Sequence, residues 1–243
     1  MERIIRPMIG IAGLLGCVAL LADAAHAKPA ATVSPGAMTR VPGQQPAVAP
    51  AFFNTVAAQI SARRFWTEWE RARRDASDMP QMQQLIAPAR RLPALQKIAY
   101  VQSAVSKGIG WRSDATQYGI HDYWASAAET LSNGRGDMED RAILKMQALR
   151  SLGFPTGDLY LTLGRDSVGG PQTVLIVRAA GRYFVLDDTG APPYTPDHRP
   201  EFKPVLTFGY GASWVHMPTN RVAVAARPAR SASGSATGFA DGH

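Results

Sequence analysis

The chain of 243 residues has a single cysteine, Cys17. No disulfide can form within it and no cysteine zinc site can assemble. Any nucleophile beyond residue 27 must be something other than a thiol. Histidine is scarce as well, with five in all. His121, His198, His216 and His243 lie beyond residue 27, and no two of them share a spacing typical of metal ligands. Acidic side chains are in deficit, 19 against 26 Lys and Arg, for a formal net charge of +7. Most of that excess lies outside the middle of the chain, because residues 85–218 carry 14 basic and 12 acidic side chains. No stripe of Lys and Arg interleaved with aromatics accompanies it, so a nucleic-acid partner is not expected. Basic tails more often aid solubility or touch acidic surfaces.

What is present begins with residues 1–27. Arg3 and Arg6 precede the apolar stretch "MIGIAGLLGCVALLADA", which is too short and poorly flanked for a membrane span, and "AHA" at 25–27 is a small-x-small cleavage site. This is the pattern of a secretory signal, with cleavage near Ala27 and a periplasmic or secreted product. "LLGC" at 14–17 offers the alternative of a lipoprotein anchored through Cys17, the one route by which membrane association is expected. Residues 28–50 are rich in Pro and Ala and read as a linker. From residue 219 the composition is that of a disordered tail.

Between them lies one expected domain, 51–218. Residues 51–75 read as a helix with Phe65, Trp66 and Trp69 as a bulky anchor. Leu95, Ile98, Val101, Val105 and Ile109 recur at helical spacing over 92–109. A third helix is expected over 121–132, stopped by Asn133-Gly134. A fourth is expected over 138–152, with Met138, Ala142, Ile143, Met146, Leu149 and Leu152 as its buried stripe and Gly153 as its stop. The period then changes to two. Strands are expected at 158–164, 173–179 and 182–188, the last two joined by a hairpin turn, with further strands at 204–209 and 213–217. Helices first and an antiparallel sheet after them is an α+β order.

The stretch "GRGDMED", residues 134–140, places a glycine-rich turn before a helix start. Free N–H groups and the positive dipole end there favour an anion, and a cysteine at such a place becomes a nucleophile. A histidine and an orienting acid on neighbouring strands would complete the machinery. Here the position after Asp137 is Met138. A thioether has no proton to lose.

"YGIHDYWASAAETLSNGRGDMEDRAILKMQALRSLGFP" and "QTVLIVRAAGRYFVLDD" resemble the bacterial transglutaminase-like cysteine peptidases, a papain-like family of secreted or periplasmic proteins. The first follows the family's order of Asp, Trp, Glu, then "GDCED", a helix and Leu-Gly. The second is similar to its "HxVLxV" and "xVLDN" strands. Trp124 and Glu129 match family positions. The resemblance implies a papain-like, transglutaminase-like fold in which N-terminal helices pack on an antiparallel sheet. It also implies triad positions at Met138, Gln172 and Asp187. Cysteine is replaced by Met138 and histidine by Gln172, and a primary amide is no base near neutral pH. Only Asp187 keeps its family identity.

The resemblance further implies that the acids around the nucleophile position, Asp137, Glu139 and Asp140, can bind calcium. A plainer reading makes Asp137 an N-cap and Asp140 its capping-box partner. No cofactor besides calcium is expected. The first functional expectation is a catalytically inactive homologue that binds a peptide or protein partner in the cell envelope, or regulates an active relative. One alternative is an active hydrolase with a displaced Ser or Thr nucleophile. Ser132 and Thr173 lie near, yet neither has a partner at a recognisable spacing. Another is a structural envelope protein whose basic tails contact acidic polymers.

Overall fold

A computed structural model describes residues 49–167 and 170–219. The expected signal and most of the linker and tail lie outside the described residues. The first described strand is β1, Thr55–Ile60. The long helix expected over 51–75 is therefore broken. Phe53 and Asn54 adopt positive φ and turn the chain, and "TVAAQI" then pairs antiparallel with β8, Ser213–Pro218. Only the 3-10 turn Arg63–Phe65 and α1, Trp66–Ala72, are helical. Phe65 and Trp69 are buried as anchors, whereas Trp66 is 59% exposed.

Two helices follow, α2 (Pro80–Ile86) and α3 (Ala94–Gly108). Ile98, Val101, Val105 and Ile109 are buried, while Leu95 at the start of α3 faces solvent. Next come β2 (Gly110–Trp111), a single turn α4 (Asp114–Gln117) and α5 (Ala127–Asn133). The helix expected over 121–132 thus begins six residues late. The amide of Tyr123 donates to Asp114 and that of Ala125 to Asp140, so this segment is extended rather than coiled. Ser126 starts α5 with a capping box to Glu129, and Gly134 ends it in the left-handed conformation. The short strand β3 (Arg135–Gly136) runs parallel to β2 and leads into α6 (Met138–Ser151).

Helix α6 is buried on every side from Glu139 to Leu149, not along one stripe. Ile143, Met146 and Leu149 join the main apolar core. On another face Gln147 finds fixed partners, donating to the Ala72 carbonyl and to the Tyr210 hydroxyl. Such an arrangement satisfies buried polar atoms that would otherwise destabilise the interior.

The sheet is fully antiparallel in the order β1-β8-β7-β4-β5-β6. Here β4 is Leu159–Asp166, β5 Gly170–Ala179, β6 Arg182–Leu186 and β7 Phe202–Phe208. Ala180 and Gly181, both at positive φ, make the two-residue β5–β6 hairpin. One sheet face, carrying Leu161, Leu175, Val177 and Leu186, packs in the main core with α6; the other carries Tyr160, Val174, Ile176 and Val185 against Phe52 and Trp214. The α+β architecture expected from the sequence is what the chain adopts.

Trp124 sits in the main core, stacked near Phe65 at 6.2 Å and edge-on to Phe208 at 5.3 Å. Trp124→Ala would empty that junction and is expected to cost about 3–5 kcal/mol. Urea unfolding should show the loss as a lower midpoint, and an unchanged midpoint would mean that the core closes over the gap.

Candidate functional site

Five acids meet where α4 and the extended segment 122–126 approach the start of α6. Asp114, Asp137, Glu139 and Asp140 are buried, and Asp122 is half-buried. Carboxylate oxygens of Asp114, Asp137 and Asp140 lie within 4.8 Å of one another, as do those of Asp114, Asp122 and Glu139. The Asp114 carboxylate takes the Tyr123 N–H at 2.6 Å and the Asp140 carboxylate takes the Ala125 N–H at 2.7 Å. One oxygen of each acid has no hydrogen-bond partner: Asp114 Oδ1, Asp122 Oδ1, Asp137 Oδ1, Glu139 Oε2 and Asp140 Oδ2. Among the described residues no Lys or Arg pairs with any of the five.

Burial and mutual repulsion raise these carboxyls. Desolvation is the largest cause for each. It lifts Asp114 and Asp122 to about 6, Asp140 to about 7 and Asp137 to about 9, with neighbouring carboxylates adding to the rise, Asp114 excepted. Glu139 is raised well above the usual range by burial, then by Asp137 and Asp140. A full capping box does not form. Asp137 occupies the N-cap position without a side-chain cap bond, and Asp140 bonds Ala125 instead. Asp114 escaped notice in the sequence, and Asp122, the Asp of the Asp-Trp-Glu order, was not joined to the other acids, because both lie far upstream on no periodic pattern. The signal that could have found them is the scarcity of acids around them in a basic chain.

Hard oxygen donors gathered without a compensating Lys or Arg suit a divalent ion of the calcium type, whose Ca–O distances of about 2.3–2.6 Å match oxygens spread over such a span. Gly136 explains the glycine of the turn. A Cβ there would stand 2.6 Å from the Asp140 Cβ and 2.7 Å from its Oδ2. Gly136→Ala is expected to push Asp140 out of the cluster and weaken calcium binding at least tenfold, measurable by titration calorimetry. Unchanged affinity would remove Asp140 from the ligand set.

Of the triad positions only Met138 lies beside this cluster in the chain. Met138 is the first residue of α6 and is partly exposed. Gln172 lies on β5, opposite Gly164 of β4, and period-two alternation sets it on the face of Val174 and Ile176. Asp187 follows β6 directly and is buried. Its carboxylate accepts bonds from Thr189 N at 3.0 Å, Thr189 Oγ1 at 2.7 Å, Tyr194 Oη at 3.0 Å and Arg199 Nη1 at 3.2 Å. Arg199 also pairs with Asp166 at 2.5 Å. The one retained triad residue is thus tied into an ion-pair network with its own loop.

That loop is fastened to α3 and α6. Lys145 Nζ donates to the Asp187 carbonyl at 2.6 Å, and Gln102 Nε2 to the carbonyls of Asp187 and Ala191. Arg141 pairs with Asp188 at 2.5 Å and donates to the Ser106 carbonyl. Burial pulls the Lys145 ammonium down to about 8. Between Arg141, Asp188 and Trp111 opens a cleft of about 290 Å³, lined also by Lys107, Ile109 and Gly190.

The histidines bear on the displaced-nucleophile alternative. His216 Nδ1 is 2.8 Å from Thr55 Oγ1 and its Nε2 is 2.8 Å from Thr207 Oγ1. His198 Nδ1 is 2.8 Å from Thr195 Oγ1 in an exposed turn. These Thr–His contacts were not foreseen in the sequence. Thr55 Oγ1 is also bonded to the Phe52 carbonyl, no carboxylate orients His216, and burial lowers its pKa to about 4. The contact fastens β1 to β8 and β7. Ser132 is exposed at the end of α5, and Thr173 is buried in β5.

A family model for bacterial transglutaminase-like cysteine proteinases matches residues 64–192. Legionella pneumophila LapG is similar in structure at 22% identity, covering 68% of this chain and 94% of that one, with a TM-score of 0.50. Its EGTA-treated form aligns at 21% identity over 68% and 94% of the two chains, and its calcium-bound form at 23% over 64% and 88%, each with a TM-score of 0.50. No curated protein matches the chain. These structures share the fold with it, and the family match spans the helices, the acid cluster and the three triad positions. The chain belongs to the bacterial transglutaminase-like cysteine proteinases.

Proposed function

We propose that this protein is a catalytically silent member of its family, exported to the cell envelope, that binds a peptide or protein partner without cutting it. The observation that carries this reading is the state of the triad positions. A thioether opens α6 where a thiolate is needed, an amide stands where a base is needed, and Asp187 is held by Arg199, Tyr194 and Thr189. The triad acts as a unit, so loss of nucleophile and base together leaves no partial mechanism for the aspartate to support. The cleft beside Trp111 offers a partly exposed aromatic wall and a charged floor, suited to an extended peptide segment.

Asp114, Asp122, Asp137, Glu139 and Asp140 would hold calcium, a reading supported by their orphaned oxygens and by the existence of a calcium-bound LapG. There the ion would neutralise buried charge and fasten the 114–126 segment to α6, bracing the cleft. Residues 1–27 carry the expectation of export.

The test is incubation of the purified protein with a complex peptide mixture, with and without calcium, read by mass spectrometry. No cleavage is expected. Cleavage abolished by Asp187→Ala would overturn the silent reading, and cleavage abolished by Thr55→Val or His216→Ala would establish the displaced-nucleophile alternative.

A further inference from the structure

We propose that the free edge of β1 docks an extended acidic segment of another protein, which adds itself to the sheet as a further strand. The six-stranded sheet ends in β1 on one side and in β6 on the other. The β6 side is covered where Val185 exchanges backbone hydrogen bonds with Tyr194 at 2.7 and 3.3 Å. Among the described residues β1 pairs with β8 alone. Sheet edges are ordinarily blunted by charge, proline or a bulge. The strand "TVAAQI" carries neither charge nor proline, and its register against β8 runs unbroken from Thr55 to Ile60. Val56 and its cross-strand neighbour Met217 are both exposed.

The surroundings of Ile60 select the occupant. A groove of about 330 Å³ opens where β1 ends, walled by the exposed Trp66 and lined by Arg63 and Arg73. Arg63 forms no ion pair among the described residues. The Arg73 guanidinium lies 5.9 Å from the Trp66 ring and pairs with Glu70 at the surface. No acidic residue lines the groove, and none of its residues lines the cleft beside Trp111. In strand addition the main chain supplies affinity and flanking pockets supply specificity. A basic, aromatic pocket at the end of the edge therefore asks for a carboxylate on the segment that continues past Ile60. The chain's own ends do not fit. Residues 28–48 carry Lys28 and Arg40 and no acid, and residues 220–243 carry Arg221, Arg227 and Arg230 against Asp241. A second copy fits no better. Paired antiparallel through β1, it would bring Phe53 and Asn54 to the groove, neither of them acidic.

The test is fluorescence anisotropy of the full chain with a synthetic peptide of alternating threonine and valine that ends in glutamates. A lysine-ended counterpart and a fully N-methylated glutamate-ended version are the controls. The glutamate-ended peptide is expected to bind, more weakly as salt rises, and at least tenfold more tightly than the lysine-ended one. The N-methylated peptide keeps the charge but loses its main-chain donors, and should not bind. Arg63→Glu should weaken binding at least tenfold, with circular dichroism verifying that the variant is folded. No binding of the glutamate-ended peptide overturns the inference. So does equal binding of the two charge forms, retained binding after N-methylation, or an unchanged affinity in Arg63→Glu. None of these outcomes bears on the silent triad.

Discussion

In calcium-free buffer the melting temperature should fall as pH rises from about 4 to about 9, the reverse of the usual behaviour of a protein rich in ion pairs. The cause is the acid cluster. An unfolded carboxyl titrates near 4, whereas in the folded protein Asp114 and Asp122 titrate near 6, Asp140 near 7 and Asp137 near 9. Between those limits the folded state holds more protons than the unfolded state, so raising the pH favours unfolding. The contribution is most favourable below the unfolded value and is lost as pH passes upward through the folded ones. Calcium replaces the protons and should flatten the profile, so the gap between calcium and chelator widens toward alkaline pH. At a thousandfold excess over Kd, binding at one site adds about 4.1 kcal/mol. At roughly 2–4 °C per kcal/mol for a domain of this size, that corresponds to roughly 8–16 °C. Differential scanning calorimetry at fixed ionic strength, with magnesium as control, reads it directly. A melting temperature that rises with pH and ignores calcium would mean that the acids are hydrated and independent.

The second large effect concerns the altered triad. Met138→Cys puts a thiol at the N-terminus of α6, flanked by Asp137, Glu139 and Asp140. Without calcium those acids oppose a thiolate; with calcium bound, the helix dipole and the cation favour it. Alkylation of Cys at this position by iodoacetamide at neutral pH is expected to accelerate at least tenfold on adding calcium. Equal rates would separate position 138 from the metal cluster electrostatically. Adding Gln172→His should still give only weak peptidase activity, because Asp187 already answers to Arg199, Tyr194 and Thr189. A histidine lacking its orienting carboxylate loses about 10⁴ in rate. A third change, Arg199→Met, frees Asp187 and should raise turnover at least tenfold over the double variant. It should also cost about 3–5 kcal/mol of stability, since Asp166 and Asp187 lose their shared cation. A double variant as active as the triple would show that Arg199 does not restrain the aspartate.

Much of this was legible in the sequence where local periodicity and global packing agree. The strands around Leu161, Val174 and Val185, the Ala180-Gly181 hairpin and the α6 helix with its Gly153 stop follow from patterns that depend on near neighbours alone. The errors fall where distant groups decide. Residues 55–60 look helical when joined to the Phe65–Trp69 anchor, but their partner strand lies at the other end of the domain. Residues 121–126 look helical until Asp114 and Asp140 take their amides. The buried Arg141, Lys145 and Gln147 were hidden by the apolar stripe beside them, because their partners at Asp188, Asp187 and Ala72 are invisible to any window of sequence. The same holds for the metal site. Three of its acids sit together in "GDMED", whereas Asp114 and Asp122 join only through the fold.

The pairing of β1 with β8 brings the two ends of the domain together, Thr55 opposite Pro218, with Thr219 Oγ1 on the Asn54 carbonyl at 2.7 Å. Among the described strands, the first to leave the ribosome therefore takes its place last. Until Ser213–Pro218 is made, β1 has no neighbour, and Thr55 has no His216 to hold it. A ribosome stalled before Ser213 would release a chain missing both strands from one side of the sheet. Circularly permuted chains would be free of this delay. With Thr219 joined to Asn54 and new ends cut at the Ala180-Gly181 turn, β8 and β1 would be synthesised one after the other, as a hairpin.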